Sequence, residues 1–347
     1  MLYTFLRPLL FKLDPESAHR ITFSAIEQAR KLGLLRITAI ACQPRNVMGL
    51  DFPNPVGLAA GLDKNGEHLD ALATLGFGFL EIGTVTPRPQ PGNPAPRIFR
   101  VPEANAVINR LGFNNHGVDQ LIENIQTSDY KGILGINIGK NFDTPLEQAV
   151  NDYRIGLQRV YRYASYVTVN ISSPNTQNLR QLQAADALDH LLSELKSEQM
   201  KLAQIHGKYV PMVVKIAPDL EVTEIESIAA LLMKHQIDGV IATNTTISRT
   251  GIEHLSIAEE SGGLSGAPLT QRATAIVHQL HHLLQGAIPI IGVGGIMSAD
   301  DAQDKLEAGA SLIQLYTGLI YQGPDLIKEI AQAVCADKAK QSDSSAH

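Results

Sequence analysis

Eight apolar segments of strand length recur along the chain, and stretches of helical period lie between most of them. The segments are Val56–Gly61, Phe79–Val85, Ile133–Gly139, Tyr166–Ile171, Met212–Ala217, Gly239–Thr243, Ile288–Gly294 and Leu312–Thr317. The helical stretches include Leu146–Ala164, Ala187–Ile205, Thr223–His235, Thr270–Leu284, Asp300–Ala308 and Asp325–Val334. Strands that are apolar at nearly every residue are covered on both faces, and their alternation with helices implies a parallel sheet. Eight such units in roughly 280 residues match a closed (β/α)8 TIM barrel in count and size. A doubly wound open sheet would need a dinucleotide fingerprint after its first strand. Gly57-Leu-Ala-Ala-Gly-Leu-Asp63 lacks that spacing. The expected fold is therefore an α/β barrel, residues 45–336, behind a small N-terminal helical extension.

The totals exclude several functions. A formal net charge of -6 and the lack of a long basic block argue against a nucleic-acid binder. The two cysteines, Cys42 and Cys335, lie far apart and in no paired motif, so neither a disulfide framework nor a structural zinc site is expected. That usage fits a reducing compartment. His278, His281 and His282 sit close together on an expected helix; a solvated face accounts for them more simply than a metal does. No run of about eighteen apolar residues occurs, so no transmembrane helix is assigned.

Three segments fall outside the rhythm. Residues 1–36 read as two short helices. Leu2–Leu13 is strongly apolar but interrupted by Arg7, Pro8 and Lys12, and Asp14-Pro15-Glu16 opens the second helix with proline in its first turn. The pair either caps the core or lies on a membrane with Phe5, Leu6, Leu9, Leu10, Phe11 and Leu13 towards lipid. Thr86–Asn115 is a proline-rich insertion, and long structured insertions are usually functional covers. Residues 337–347 are small and polar, and a disordered tail is expected.

In such barrels the C-terminal ends of the strands carry the chemistry. Tyr166-Val-Thr-Val-Asn-Ile-Ser-Ser-Pro-Asn175 begins as a strand and ends in hydroxyls and amides, where Pro174 stops the ladder. Alone, Ser-Pro-Asn is a turn. The other ends repeat the arrangement: Ala60-Gly-Leu-Asp-Lys64, Gly83-Thr84, Asn137, Lys215, Thr243-Asn-Thr-Thr246, Gly292-Val-Gly-Gly295 and Tyr316-Thr-Gly318. A ring of polar ends makes a cavity for a ligand that both donates and accepts hydrogen bonds. Glycines after strands seven and eight suit a phosphate, and Gly266 adds a backbone approach. Lys64 and Lys215 imply negative charge on a ligand or intermediate, because lysine is rarely buried without an anion. Asn137, Asn170, Asn175 and Asn244 suit a planar heterocycle with imide edges. No paired carboxylates, His/Asp relay or metal cluster points to hydrolysis.

Taken together, Ala60-Gly-Leu-Asp-Lys-Asn65, Gly83-Thr84, Asn109-Arg-Leu-Gly-Phe-Asn-Asn115, Asn170-Ile-Ser-Ser-Pro-Asn175, Lys215, Thr243-Asn-Thr245, Gly292-Val-Gly-Gly295 and Tyr316-Thr317 resemble the flavin-dependent dihydroorotate dehydrogenases. The likeness spans nearly the whole chain. Its N-terminal extension and Ser173, which stands where class 1 enzymes carry a catalytic cysteine, resemble the membrane-associated, quinone-linked class 2 branch. One departure follows: Gln177-Asn178 stands where many relatives have Pro-Gly.

The resemblance implies oxidation of dihydroorotate to orotate in pyrimidine synthesis, with one FMN across the strand ends and a membrane quinone reoxidising it. Ala60, Gly61, Lys64, Thr84, Asn137, Asn170, Lys215, Thr243, Gly266, Gly295, Tyr316 and Thr317 would hold FMN, with Lys215 stabilising the anionic reduced flavin. Lys64, Asn109, Arg110, Leu111, Gly112, Phe113, Asn170, Asn175, Asn244 and Thr245 would hold the substrate. Ser173 would be the base, although a serine with no adjacent histidine is a weak one, and Thr176 is a candidate relay. His19, Arg100 and Tyr316 match positions near the quinone. A monomer held peripherally at the cytoplasmic face of the inner membrane is expected.

Overall fold

The computed structural model describes residues 2–35 and 40–344; Met1 and Arg36, which bound the expected extension, and the last three residues of the expected tail lie outside the described residues. Eight parallel strands close into a barrel: β1 (Val56–Leu58), β2 (Phe79–Val85), β3 (Ile133–Ile138), β4 (Tyr166–Asn170), β5 (Met212–Ile216), β6 (Gly239–Ala242), β7 (Ile290–Val293) and β8 (Leu312–Leu315). Neighbours follow chain order, and β8 pairs with β1 to close the ring, Ile313 opposite Val56. The α/β barrel expected from the apolar rhythm is the observed fold.

Several strands are shorter than the apolar runs that announced them. Pro289 has no N–H to donate, so β7 begins at Ile290 rather than Ile288. β1 stops at Leu58 because the chain then turns across its neighbours: Ala59 N–H donates to Leu315 O at 3.0 Å and Gly61 N–H to Gly83 O at 2.7 Å. The apolar residues before each strand end therefore build the barrel, and the polar ones after it are free to face a ligand.

Alternate residues of the strands fill the lumen. Phe79, Tyr166, Val213, Ile241, Ile291 and Leu312 pack there, with Val47 and Phe52 from an N-terminal hairpin (Arg45–Val47, Leu50–Phe52). Phe52 meets Phe79 edge to face at 5.0 Å, a geometry aromatic quadrupoles favour. The other strand faces pack under the surrounding helices in a larger apolar layer. That closed lower half leaves the upper, C-terminal end as the place where side chains are not all spent on packing.

The proline-rich insertion is an ordered cover. Ile98–Val101 and Ala106–Asn109 form a hairpin, and Gly263–Gly266 joins it as a third antiparallel strand. The N-terminal extension forms two helices, α1 (Leu2–Leu10) and α2 (Pro15–Lys31). Asp14 caps α2 by accepting from Ser17 N–H at 2.9 Å, as the Asp-Pro-Glu signature foretold. Arg97 ties the insertion to α2 through Glu16 at 2.8 Å, and Arg7 ties α1 to the barrel through Tyr321 O at 2.7 Å.

Two expectations need correction. Cys42 and Cys335 are joined by a disulfide, with Cα atoms 5.2 Å apart. Their separation of 293 residues hid the pairing, because ring closure brings the segment before β1 beside the helix after β8. A reducing compartment, inferred from unpaired cysteines, loses that support. The final helix runs Asp325–Ser344, past Val334 and into the stretch expected to be a disordered tail.

Candidate active site

The polar strand ends converge on one cavity between the barrel rim and the covering hairpin. Ala60, Gly61 and Lys64 enter it after β1, Thr84 from β2, and Asn170, Ser173 and Asn175 from β4 and the loop after it. Lys215 rises from β5, and Thr243, Asn244 and Thr245 follow β6. Gly295 follows β7, Tyr316 and Thr317 follow β8, and Gly266 ends the third strand of the cover. Asn109, Leu111, Gly112 and Phe113 descend from the insertion and form the opposite wall.

Two of the residues named for cofactor or substrate are placed otherwise. Asn137 lies one layer behind the wall, fully buried, where its Oδ1 accepts from Thr84 Oγ1 at 2.6 Å. Arg110 turns away from the cavity. Its guanidinium pairs with Glu260 at 2.5 Å, donates to Pro96 O at 3.0 Å and stacks 4.5 Å over Phe99.

Lys215 is the most informative wall residue. It is only 5% exposed and opens onto the cavity, where no described residue accepts a hydrogen bond from its ammonium. Burial pulls its pKa below the ordinary lysine value, and the Glu81 charge opposes that pull. A buried ammonium without an acceptor is costly, so the cavity is built for something that accepts from it. Lys64 at the mouth donates to Gly61 O at 2.7 Å, and desolvation lowers its pKa to about 8.

Backbone fills the other end. At Gly295, where φ is +74°, a Cβ would stand 2.3 Å from Thr270 Cα; at Gly266, where φ is +99°, it would stand 2.2 Å from Asn105 O. Both positions require glycine, and both leave bare backbone beside the Thr317 hydroxyl, the kind of lining an anion meets well. The Tyr316 ring packs on Gly61, and burial pushes its phenol up to about 12.

Ser173 is 6% exposed and accepts from Asn175 N–H at 3.2 Å; among the described residues its hydroxyl donates to none. Among the described residues no histidine is hydrogen-bonded to it. Thr176 Oγ1 is likewise buried without a partner. The unusual Gln177-Asn178 pair is accommodated: Asn178 takes φ of +56°, a left-handed conformation that asparagine tolerates better than most residues. It leads into a 3-10 turn, Leu179–Gln183, that carries Arg180. Arg180 donates to Ser172 O at 3.1 Å, Asp219 at 2.7 Å and Thr245 O at 2.8 Å, so one guanidinium joins the loop bearing Ser173 to the loop bearing Asn244.

The sequence profile of the dihydroorotate dehydrogenases matches residues 43–336. The chain belongs to the dihydroorotate dehydrogenase family. It is 68% identical to the dihydroorotate dehydrogenase (quinone) of Nitrosospira multiformis, over 96% of each chain. It is 59% identical to the enzyme of that name from Acinetobacter baumannii, over 96% of this chain and all of the other. The crystal structure of Eimeria tenella DHODH in complex with ferulenol superposes with a TM-score of 0.87 at 37% identity, covering 95% of this chain and 93% of that one.

The barrel carries the two N-terminal helices; of the remaining named residues, His19 is on α2, Arg100 is on the covering hairpin and Tyr316 follows β8. His19 is on α2, its ring edge-on to Phe23 at 4.6 Å, and Phe23 in turn stacks on His68 at 4.5 Å. Burial lowers the His19 pKa to about 4, and among the described residues its Nδ1 has no partner. Arg100 holds the α1–α2 turn, donating to Leu13 O at 2.8 Å and lying 4.7 Å over the Phe11 ring. Neither His19 nor Arg100 lines the cavity; Tyr316 does. Among the described residues no cluster of histidine, cysteine, aspartate or glutamate is arranged to hold a metal, His278, His281 and His282 included.

Sequence reasoning passed over three residues that the structure brings to the site. Arg180 and Asp219 stand outside every motif. Glu81 lies in the middle of β2, fully buried, and accepts from Asn137, Tyr166 and Gln314. A lone carboxylate in Phe79-Leu-Glu-Ile-Gly-Thr-Val85 was the available signal.

Proposed function

We propose that this chain oxidises (S)-dihydroorotate to orotate in pyrimidine synthesis, with FMN in the cavity and a membrane quinone as final electron acceptor. The observation that carries the reading is the buried, unpartnered Lys215 ammonium at the back of a cavity ringed by amides, hydroxyls and bare glycine backbone. That donor set fits FMN. The imide edge of the ring would meet Lys215, Asn170 and Thr243, and the phosphate would meet Gly266, Gly295 and Thr317. When bound, the flavin supplies a two-electron acceptor for the substrate and a donor for the quinone.

The protein's own groups do the rest. Lys64, Asn109, Asn175, Asn244 and Thr245 hold the carboxylate and imide of dihydroorotate, with the Leu111–Phe113 backbone above them. Arg110 contributes backbone there, since its side chain faces Glu260. Ser173 takes the ring proton, and Thr176 passes it outward. Lys215 stabilises negative charge that develops beside it, an interaction strengthened by exclusion of water.

The helical pair brings the protein to the quinone. Phe5 is 77% exposed, Leu9 61% and Ile21 51%, and no described helix is long and apolar enough to cross a membrane. A monomer lying peripherally on the cytoplasmic face of the inner membrane accounts for that surface. His19, on α2, and Arg100, against the α1–α2 turn, are both half-buried and would flank the quinone on its way to Tyr316. The purified protein is expected to be yellow and to release FMN on denaturation. A colourless protein that FMN does not reconstitute would overturn the reading, leaving a barrel for a phosphorylated metabolite.

A further inference from the structure

Glu81 takes no part in the steps above, yet its placement reaches most of them. It lies one layer below the cavity on β2, fully buried, and all three of its partners are donors: Asn137 Nδ2 at 2.8 Å, Tyr166 Oη at 2.9 Å and Gln314 Nε2 at 2.7 Å. All three bonds run towards Glu81, so its oxygens act as acceptors. It therefore dictates which way the Asn137 amide faces. With Nδ2 turned to Glu81, Asn137 Oδ1 is left to accept from Thr84 Oγ1 at 2.6 Å and from Asn170 Nδ2 at 3.2 Å. Asn170 Oδ1 must then face Ser172 N–H at 3.2 Å and Asn244 Nδ2 at 3.4 Å. Asn244 Oδ1 ends the row by accepting from Thr245 N–H at 2.8 Å. Reversing any one amide would set donor against donor along the row.

Gln314, which donates to this carboxylate at 2.7 Å, lines the same cavity as Lys215, and the Glu81 charge counters the effect of burial on that lysine. We propose that Glu81 is a positioning residue for the redox centre. It orients the Asn137–Asn170–Asn244 row and, as the charge opposing Lys215, lowers the midpoint potential of the flavin. The proposal rests on the reading that the cavity holds FMN. A negative charge sealed below the ring in a medium of low dielectric disfavours adding electrons above it.

Glu81→Gln removes the charge and keeps the shape. Gln314 Oε1 is buried without a partner, so that amide can turn to accept from the new one. In the holoenzyme, redox titration is expected to show a midpoint potential raised by about 30 mV or more, equivalent to a tenfold shift in relative affinity for the reduced flavin. Sulfite, which adds to oxidised flavins more tightly beside positive charge, is expected to bind at least tenfold more tightly. Glu81→Asp, which keeps the charge, is expected to stay near the wild-type potential. A flavin-loaded Glu81→Gln protein with unchanged potential and sulfite affinity would overturn the proposal alone. A wild-type protein that binds no flavin would overturn the functional reading instead. Should Glu81→Gln not fold, Tyr166→Phe decides: it removes one donor from the carboxylate, leaving more charge exposed to the ring, and a lowered potential is expected. An unchanged or raised potential in that variant would overturn the proposal.

Discussion

Arg180→Ala separates the positioning of the substrate from the binding of the cofactor. Its guanidinium is 21% exposed and makes three donations, to Ser172 O, Asp219 and Thr245 O. Charged hydrogen bonds contribute about 1.5–3 kcal/mol each, and breaking a buried pair costs about 3–5 kcal/mol. Asp219 keeps the Thr246 hydroxyl and Ile247 N–H as donors, and water can reach the gap, so about 3 kcal/mol is the expected loss of stability. The loops that Arg180 joins carry Ser173 and Asn175 on one side and Asn244 and Thr245 on the other. A misplacement of about 1 Å costs about a hundredfold in rate. Anaerobic stopped-flow mixing of the variant with dihydroorotate is therefore expected to show flavin reduction slowed about a hundredfold, or ~2.7 kcal/mol of barrier. Flavin content and reoxidation by quinone are expected to stay within about twofold, because Arg180 lines neither the cavity nor the helical pair. Arg180→Lys should fall between, since one ammonium cannot span the same three acceptors. Near-normal reduction in Arg180→Ala, or equal slowing of both half-reactions, would refute the reasoning.

Four further outcomes follow from the same structure. Ser173→Ala is expected to keep its flavin and lose about a hundredfold or more of its reduction by dihydroorotate, the range for a general base; normal single-turnover reduction would remove Ser173 from that role. Lys64 carries its charge below about pH 8 and loses it above, so orotate affinity is expected to be constant at lower pH and to fall about tenfold per unit beyond that point, a break that Lys64→Arg should move upward. His19 is held neutral down to about pH 4 while the unfolded chain takes up its proton near 6.5, so stability present above 6.5 is lost as pH falls towards 4, by up to about 3 kcal/mol. Thermal unfolding across that window should show this loss in wild type and not in His19→Gln. Replacing Phe5 and Leu9 together by Glu is expected to weaken vesicle binding at least about tenfold, given about 1.5–3 kcal/mol for burying each side chain, and to leave flavin reduction intact; equal vesicle binding would count against α1 as the membrane face.

The barrel was legible because its strands are buried on both faces. Phe79–Val85 has the same bounds in sequence and structure, since every residue in it is buried. The site was legible because polar residues placed straight after such runs have nowhere to pack but the rim. What escaped depended on contacts between distant segments. Cys42 and Cys335 are neighbours only once the ring closes. Asn109-Arg-Leu-Gly-Phe113 gave the insertion its place on the wall, but periodicity cannot say that Arg110 leaves the cavity for Glu260. Arg180 follows a turn with no pattern of its own, and its role exists only because Thr245 O is 2.8 Å away. Glu81 broke the apolar pattern of β2 in plain view; its meaning required Asn137, Tyr166 and Gln314 from three other strands or their ends.

The most direct measurement follows the bound flavin through both half-reactions without oxygen. The protein as purified is mixed with dihydroorotate, and the reduced product is then mixed with a quinone in detergent or lipid. The visible flavin absorbance is expected to bleach with dihydroorotate, orotate to appear in equal amount, and the absorbance to return with quinone. A bound flavin that dihydroorotate leaves oxidised would contradict it.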